Sequence, residues 1–327
     1  MPTIFPSFYS SFRCEPFLCK HSCCVDWEIG IDADALARYR TRTDALSAHI
    51  CAHIEEHPDP HFVLTEEDRC PFLQSDGLCS LIALQGQEIL PEICREHPRF
   101  RNFYEGNLTE LSVGLSCEIA VTHLLKENAL TFLYSSDEID ALTDLSAHPF
   151  FPLNILNDFA PSLEKAFLTQ KYRLISHFLD EDATFLAHIH EEVFSPYLSH
   201  YRKNISSALA NLPLLDMLHA DFSTLFSAFS ENEEARDNAT FTTDTPEERA
   251  FTSKEKRNLF VHTLFRHATT ESFYSFEASV SFSLFFLALA EHLVLYRNFE
   301  KVEAIRLLSS EIEYSEENTD KVLEAFE

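Results

Sequence analysis

Glycine is scarce in this chain of 327 residues, which contains five. At the ordinary frequency of about 7%, a chain of this length would contain roughly twenty or more. No two of the five are close enough in sequence to form a glycine-rich phosphate-binding loop. The sequence therefore excludes a GxGxxG dinucleotide fold and a P-loop. It also argues against a doubly wound sheet, whose first turn needs glycine where the backbone approaches a ligand closely.

Basic residues are also few. The chain has 25 Lys and Arg against 53 Asp and Glu, which gives a formal net charge of −28. Because such a surface repels phosphate groups, we expect no nucleic-acid partner and no membrane partner. The charge is suited to attract a lysine-bearing substrate, although a solubilising charge on helix surfaces is the simpler interpretation.

Targeting and membrane-spanning segments are not evident in the sequence. The residues after Met1, PTIFPSFYSSFRC, contain neither a basic n-region nor an unbroken apolar h-region, so no signal peptide is predicted. The longest apolar stretch, near Val280 to Ala290, contains Ser281 and Ser283 and is predicted to be too short to span a bilayer. We therefore expect a cytoplasmic chain whose thiols are reduced.

Cysteine is concentrated at one end of the chain. All nine cysteines lie within the first 117 residues, at Cys14, Cys19, Cys23, Cys24, Cys51, Cys70, Cys79, Cys94 and Cys117. In a reducing compartment such a group favours metal or cluster binding over disulfides. For Cys51 alone, the expected role is that of a small buried hydrophobe.

The spacing of the cysteines separates a local motif from a dispersed set. The motif, Cys14-x4-Cys19-x3-Cys23-Cys24, has short spacers that let one segment wrap thiolates around a single centre. Its last two thiols project in different directions, so one of them either packs or serves a second centre. The dispersed cysteines, from Cys70 onward, are predicted to be brought together by folding. Thiolates suit zinc or iron–sulfur clusters and are poor ligands for hard cations.

Five segments carry a family resemblance. They are FRCEPFLCKHSCCVDWEIGID (Phe12 to Asp32), CPFLQSDGLCSL (Cys70 to Leu81), LPEICREHPR (Leu90 to Arg99), LSCEIA (Leu115 to Ala120) and EIEYSEENTDKVLEAF (Glu311 to Phe326). Together they resemble the flagellin lysine-N-methylase family, a branch of a broader superfamily with a CxxCxxCC-type zinc- or iron-chelating motif near the N-terminus. Two positions depart from the usual patterns. Cys24 follows Cys23 directly, so the radical-SAM motif CxxxCxxC is not met, and His97 stands where the family usually has an aromatic residue.

The resemblance implies a cytoplasmic enzyme that methylates lysine ε-amines of flagellin with S-adenosylmethionine. It also implies a bound iron–sulfur cluster, with 4Fe-4S favoured and zinc as the alternative. The implied metal ligands are Cys14, Cys19, Cys23, Cys24, Cys70, Cys79, Cys94 and Cys117. A four-iron cluster with three thiolate ligands would leave one iron open to chelate the amino-acid end of S-adenosylmethionine, a hypothesis prompted by the missing glycines and the surplus cysteines. No catalytic or cofactor-binding residue can be named. The alternatives are a non-enzymatic zinc- or iron-binding module and an iron–sulfur redox protein.

The predicted fold is mainly α, with an N-terminal cysteine-rich module over residues 1–127 and a helical domain over 128–327 that contains a polar loop near 230–256. The predicted helices are Asp32 to Arg40, a second ending at His57, Leu115 to Glu127, a series from Ser162 onward, and a final series from Arg257 to the end. Short β segments are predicted at Phe62 to Leu64 and Leu78 to Leu84, with a turn at residues 75–77.

Two histidine patterns have a structural interpretation. His49, His53 and His57 are spaced so that they would share one helix face, but they lie at the edge of the apolar stripe and are predicted to form an exposed ladder rather than a zinc site. His190 and Glu191 do not complete an HExxH motif, because Phe194 occupies the position of the second histidine.

Overall fold

The structure, a computed structural model, is mainly α-helical over its described residues, with few short strands, which confirms the predicted fold class. It describes residues 3–15, 18–25, 28–104, 108–128, 130–135, 143–144, 156, 162–179, 184–219, 221–226, 250–270 and 274–327. Asp26, Trp27, the Ser146 to Pro152 segment and most of the predicted polar loop near 230–256 lie outside these residues.

The elements mix short strands and helices in the first half of the chain and are helical thereafter. The described strands are β1 (Thr3–Pro6), β2 (Ile29–Gly30), β3 (Ile54–Glu55), β4 (His61–Phe62), β5 (Arg99–Phe103), β6 (Thr109–Val113), β7 (Phe132–Ser135) and β8 (Thr143–Asp144). The described α-helices are α1 (Ala33–Thr41), α2 (Ala45–Cys51), α3 (Ser80–Gln85), α4 (Glu92–Glu96), α5 (Glu118–Lys126), α6 (Leu163–Phe178), α7 (Phe185–His190), α8 (Ser195–Asn211), α9 (Ser253–His267), α10 (Phe276–Tyr296), α11 (Lys301–Leu308) and α12 (Glu316–Glu324).

Contacts divide the chain into two compact units. The cysteine unit comprises Arg13–Phe100 and Cys117–Ile119, and the helical unit comprises Met1–Phe12, Arg101–Ser116 and Ala120–Glu327. All nine cysteines therefore lie in the cysteine unit. The domain boundary predicted after residue 127 stays a prediction.

Two aspartates start the first helices of the cysteine unit. Asp32 accepts a hydrogen bond from the backbone N–H of Ala35 at 2.8 Å and so caps α1, which confirms the predicted start of this helix. Asp44 caps α2 in the same way. The extension of this second helix to His57 is wrong, because α2 ends at Cys51 and the chain then pairs β3 with β4. The ladder joins Ile54 to Phe62, so the backbone groups that a longer helix would use are committed to a sheet.

The predicted strand from Leu78 to Leu84 is also wrong, since Ser80–Gln85 forms helix α3. The turn before it is confirmed: Gly77 donates its backbone N–H to the carbonyl of Gln74 at 3.0 Å, and its φ of 83° is one that glycine adopts without strain. Ser80 then donates its backbone N–H and its hydroxyl to the carbonyl of Phe72 at 2.8 and 3.0 Å. These two hydrogen bonds fix the start of α3, so the apolar segment LIAL forms a helical turn. Periodicity alone cannot separate a helix from a strand in so short a run.

In the helical unit, the sheet has the strand order β5-β6-β1-β7-β8. Strand β1 is parallel to β6, with Thr3 opposite Thr109, and antiparallel to β7, with Ile4 opposite Tyr134.

Helix α5 begins at Glu118, three residues later than the predicted Leu115. Helix α9 begins at Ser253, four residues before the predicted Arg257, because Thr252 and Glu255 form a capping box there.

The longest helix of the helical unit, α10, has 21 residues and is longer than the apolar stretch recognised in the sequence. By length and composition it could cross a bilayer, which corrects the prediction that it is too short. However, 94% of its most apolar window is buried within the protein. That burial is what a core helix shows.

A buried ionic network lies between β6 and α6. Glu110 and Lys171 are both fully buried, and Lys171 Nζ donates to Glu110 Oε2 at 2.7 Å and to the carbonyl of Phe265 at 2.8 Å. The hydroxyls of Tyr104 and Tyr172 donate to the same carboxylate at 2.8 and 2.5 Å. Both carboxylate oxygens thus receive hydrogen bonds, as a buried charge requires.

Acid is expected to destabilise the helical unit through His262. This residue is buried in α9, with its Nε2 3.0 Å from Ser112 Oγ, and burial lowers its pKa to about 3. In the unfolded chain a histidine takes up a proton near its ordinary pKa of about 6.5. Between these values the unfolded state binds more protons, so stability falls as the pH falls through that window. His262→Gln should flatten this part of a plot of unfolding free energy against pH.

The matched control is His190→Gln, which changes an exposed histidine in the same unit. It should leave the slope between about pH 6.5 and 3 unchanged. An equal slope in wild type and His262→Gln would show that His262 is not the group responsible.

Candidate metal centre

The cysteine segment near the N-terminus is held by one carboxylate, that of Glu118. The backbone N–H groups of Lys20 and His21 donate to its two oxygens at 2.9 and 2.8 Å, and His21 Nδ1 lies 2.7 Å from Glu118 Oε1. Burial alone would raise the pKa of Glu118, but these hydrogen bonds outweigh it and lower the pKa. Because Glu118 directly follows Cys117, this anchor brings that thiol to the N-terminal motif.

A first thiol group results, consisting of Cys14, Cys19, Cys23 and Cys117. Burial raises the pKa of Cys14 and that of Cys19, the latter to about 12, and the negative charge of Cys117 adds to both shifts. A hydrogen bond to Cys24 and burial raise the pKa of Cys23, with further contributions from Cys14 and Cys117. Because charge interactions weaken with distance, these contributions group the four thiols, and weaker ones from Cys24 and Cys79 also reach Cys14.

A second thiol group consists of Cys24, Cys70, Cys79 and Cys94. The backbone N–H of Cys70 donates to the carbonyl of Cys24 at 2.9 Å, beside an antiparallel bridge between Val25 and Arg69. A second antiparallel bridge joins Leu73 to Cys79 and closes the turn between Cys70 and Cys79. Three of the four thiols are therefore placed by backbone pairing between segments that are remote in sequence.

Cys94 is placed by the capping residue of the first helix. Asp32 uses one carboxylate oxygen to cap α1 and the other to accept the backbone N–H of Glu92 at 2.6 Å, at the start of α4. Tyr39, on the next turns of α1, donates its hydroxyl to the carbonyl of Ile89 at 2.6 Å. These bonds fix α4, which carries Cys94, against α1.

The four members of the second group also share an electrostatic environment. Burial raises the pKa of Cys79, of Cys94 and of Cys70, the last to about 12, and the charge of Cys24 contributes to all three shifts. Cys70 and Cys79 further raise the pKa of Cys94. An isolated thiol in this environment stays protonated, so a bound cation would have to displace the protons.

The two groups meet at the adjacent pair Cys23 and Cys24. Cys23 donates a hydrogen bond to the sulfur of Cys24, which lowers the pKa of Cys24, and the positive charge of Arg69 adds to this effect. On the side of the first group, the charge of Arg99 favours the thiolate of Cys14. Cationic side chains beside thiols are typical of sites where the thiolate form is used.

The structure thus brings the eight predicted cysteines together, and their role as ligands remains a prediction. Cys51 does not join them: it lies in the last turn of α2, where it packs against the apolar core of the unit. His21, which lies inside the motif, contacts Glu118. Sequence reasoning missed Glu118 and the second hydrogen bond of Asp32. The available signal was a carboxylate directly following the last of the predicted ligands.

The thiols are spaced more widely than the ligands of one small ion. Four sulfurs bound to one zinc ion, with Zn–S near 2.3 Å, would lie about 3.8 Å from one another. Among the described residues, the groups of three His, Cys, Asp or Glu donor atoms that all lie within 4.8 Å of one another contain none of these cysteines.

The histidine ladder does not form as a helix face. Within the described residues only His49 of the three lies in α2, whereas His53 follows the helix and places its Nδ1 2.9 Å from the carbonyl of His49. The rings of these two histidines are 4.7 Å apart and contact Phe72. His57 is exposed, in agreement with a solvated rather than a metal-binding role.

Comparison with curated proteins finds distant relatives of the chain. Lysine-N-methylases of Salmonella typhimurium and Salmonella choleraesuis are each 24% identical to this chain over 174 residues, which are 48% of this chain and 41% of theirs. The flagellar biosynthetic protein FliU of Salmonella muenchen is 24% identical over 129 residues, 37% of this chain and 76% of that protein. The chain is a distant relative of proteins named lysine-N-methylase and FliU.

The extent of this relationship is limited. The match covers less than half the length of the two lysine-N-methylases. No family model matches the chain, and no solved structure matches it. Membership of the broader cysteine-rich superfamily therefore stays a prediction.

Proposed function

We propose that the protein is a lysine N-methyltransferase that transfers the methyl group of S-adenosylmethionine to lysines of flagellin, in the cytoplasm. The relationship to proteins named lysine-N-methylase and FliU carries this proposal. We further propose that the cysteine unit holds iron–sulfur clusters at its two thiol groups. Zinc is the alternative occupant.

The donor set fits a cluster in number and in chemistry. A four-iron cluster takes four cysteine ligands, so each thiol group supplies enough donors for one. A cluster is larger than a single ion, and its ligands stand further apart, which agrees with the wide spacing of the thiols. When bound, a cluster held by only three of the four thiols of its group would leave one iron open, and that iron would supply a Lewis-acidic anchor for the amino and carboxylate groups of S-adenosylmethionine. The protein itself supplies Arg69 and Arg99, whose charges favour the thiolates of Cys24 and Cys14.

Methyl transfer places two requirements on any such site. A lysine with a pKa near 10.4 is only about 0.04% neutral at pH 7, yet the neutral amine is the nucleophile. In the reaction the amine nitrogen forms a bond to the methyl carbon, the sulfonium C–S bond breaks, S-adenosylhomocysteine leaves, and the ammonium proton passes to solvent or to a base. The site must therefore desolvate the amine and align it with the sulfonium, and alignment alone is worth several kcal/mol.

The decisive measurement combines metal analysis with methyl transfer. Full-length protein, purified and reconstituted without oxygen, should contain iron and acid-labile sulfide, and it should transfer label from methyl-labelled S-adenosylmethionine to purified flagellin. Flagellin whose lysines have been acetylated beforehand serves as the control and should accept no label. Mass spectrometry of flagellin from a strain lacking the protein should show reduced lysine methylation.

The alternatives predict different results. A non-enzymatic zinc-binding module would contain zinc instead of iron and would transfer no label. An iron–sulfur redox protein would be coloured and contain iron, yet it would also transfer no label. Undiminished lysine methylation in the deletion strain would contradict the proposed substrate.

A further inference from the structure

A second set of metal-binding side chains lies in the helical unit, outside the thiol groups. His177, His188 and Glu191 each present one donor atom, and the three atoms all lie within 4.8 Å of one another. His177 is in the last turn of α6, His188 is in α7, and Glu191 directly follows α7. The sequence pairs Glu191 with the adjacent His190, whereas in the fold it faces His177 and His188.

The hydrogen bonds of the site assign the state of His177. Its Nε2 lies 3.3 Å from the backbone carbonyl of His188, and a carbonyl oxygen can only accept, so Nε2 carries the proton. In the neutral ring Nδ1 then keeps its lone pair, and this nitrogen faces Glu191 Oε2 at 3.9 Å. A ring nitrogen that donates to a backbone carbonyl while the other nitrogen is free to coordinate is the usual arrangement of metal-binding histidines.

The second histidine completes the donor set from the interior. His188 is 1% exposed, and its ring lies 4.9 Å from the ring of His177 and 5.2 Å from that of Phe178. Its Nδ1 is 4.0 Å from Glu191 Oε1. The Glu191 side chain is 52% exposed, so a cation can enter from solvent on that side. The site thus joins a rigid buried imidazole to an accessible carboxylate.

We propose that His177 Nδ1, His188 Nδ1 and the Glu191 carboxylate bind a divalent transition-metal ion of the zinc class. Two imidazoles and a carboxylate are a donor set suited to zinc, and bonds of 2.0–2.2 Å would place tetrahedral ligands about 3.4 Å apart. From 3.9 and 4.0 Å the carboxylate would have to approach the two rings by about 0.5 and 0.6 Å, and the two imidazoles, whose donor atoms lie within 4.8 Å of each other, would also have to move closer together. Three protein ligands leave one coordination position for water or an external ligand. The net charge of −28 favours accumulation of cations at the surface.

This site is independent of the proposed methyltransferase activity. The simpler alternative is an ion pair between Glu191 and a protonated histidine three residues before it, without a metal. The two differ in one measurable property: a metal site requires all three side chains and binds a stoichiometric cation, whereas an ion pair does neither.

The test compares neighbouring residues in the full chain. Glu191→Gln and His177→Ala remove ligands, while the exposed neighbours Glu192→Gln and His190→Ala are the matched controls. Whatever zinc the thiols take up is common to all five proteins, so the difference between them reports this site. By isothermal titration calorimetry, wild type and both controls should bind one more equivalent of Zn²⁺ than the two ligand variants. The affinity of the extra site should fall at least about 100-fold in Glu191→Gln.

A second readout does not depend on counting equivalents. Zn²⁺ should raise the melting temperature of wild type and of Glu192→Gln by more than that of Glu191→Gln, because only an intact site adds binding free energy to the folded state. Equal zinc stoichiometry and equal melting shifts in Glu191→Gln and Glu192→Gln would overturn the proposal and leave an ordinary ion pair.

Discussion

Glu110→Gln is expected to lower the free energy of unfolding by about 3–5 kcal/mol, the usual cost of leaving one partner of a buried ion pair uncompensated. Lys171 would remain fully buried with its positive charge opposed only by neutral groups. The glutamine amide would also turn a donor NH₂ toward side chains that donate to the carboxylate, namely Lys171, Tyr104 and Tyr172. Denaturant unfolding followed by circular dichroism measures the effect.

Two further variants test whether the loss of stability comes from the buried charge of Lys171. Glu192→Gln makes the same chemical change at an exposed position and should alter stability by no more than about 0.5 kcal/mol. The double variant Glu110→Gln/Lys171→Met removes both charges and should recover part of the loss, because no charge is then left buried alone. If Glu110→Gln costs less than about 1 kcal/mol, Lys171 does not carry its charge in the folded protein.

Burial and the Glu110 carboxylate act in opposite directions on the pKa of Lys171. Burial lowers the pKa of Lys171, and the charge of Glu110 and its hydrogen bond act against that shift. Burial also raises the pKa values of Tyr104 and Tyr172 well above their ordinary value, and the adjacent Glu110 charge adds to the effect. Both tyrosines therefore stay protonated and available as donors, so the ion pair depends on two hydroxyl groups as well as on the lysine.

The grouping of the cysteines in one unit could be predicted from the sequence because all nine lie in the first 117 residues. Eight cysteines in short and long spacings allowed a prediction of convergence without any knowledge of the backbone path. Helix α1 was predicted because Asp32 at its start has a strong local capping preference. Such features are encoded within a few residues.

Features that depend on distant segments could not be predicted. The apolar run in α3 was wrongly assigned to a strand. Its helical start depends on the hydrogen bonds that Ser80 donates to the carbonyl of Phe72, eight residues earlier, and periodicity does not show them. Glu110 and Lys171 are 61 residues apart, and nothing near either one indicates the other. The contact between His177 and Glu191 was not predicted for the same reason, because the two residues come from different helical segments.

The largest functional effect is expected from removing one thiol of each group. Cys117→Ala acts on the first group and Cys94→Ala on the second, and each should lower bound iron and reduce methyl transfer to flagellin at least about 100-fold, since loss of a direct ligand exceeds the 10–100-fold cost of losing a supporting contact. Cys51→Ala is the matched control, because it removes a thiol of the same unit that packs against the apolar core. Iron and sulfide analysis of each variant, with the labelled-methyl assay, measures both effects.

The two variants also distinguish one centre from two. If each thiol group holds its own four-iron cluster, Cys117→Ala and Cys94→Ala should each retain about half of the iron, because four cysteine ligands complete one cluster. If a single cluster drew ligands from both groups across Cys23 and Cys24, either variant would lose nearly all of it. The largest thiol charge that acts on Cys14 and on Cys19 is that of Cys117, and the thiol charges that act on Cys94 come from its own group, so we expect the first outcome. The smaller contributions of Cys24 and Cys79 to Cys14 are the observation that favours the second. Full iron content and full activity in both variants would contradict the assignment of these thiols as ligands.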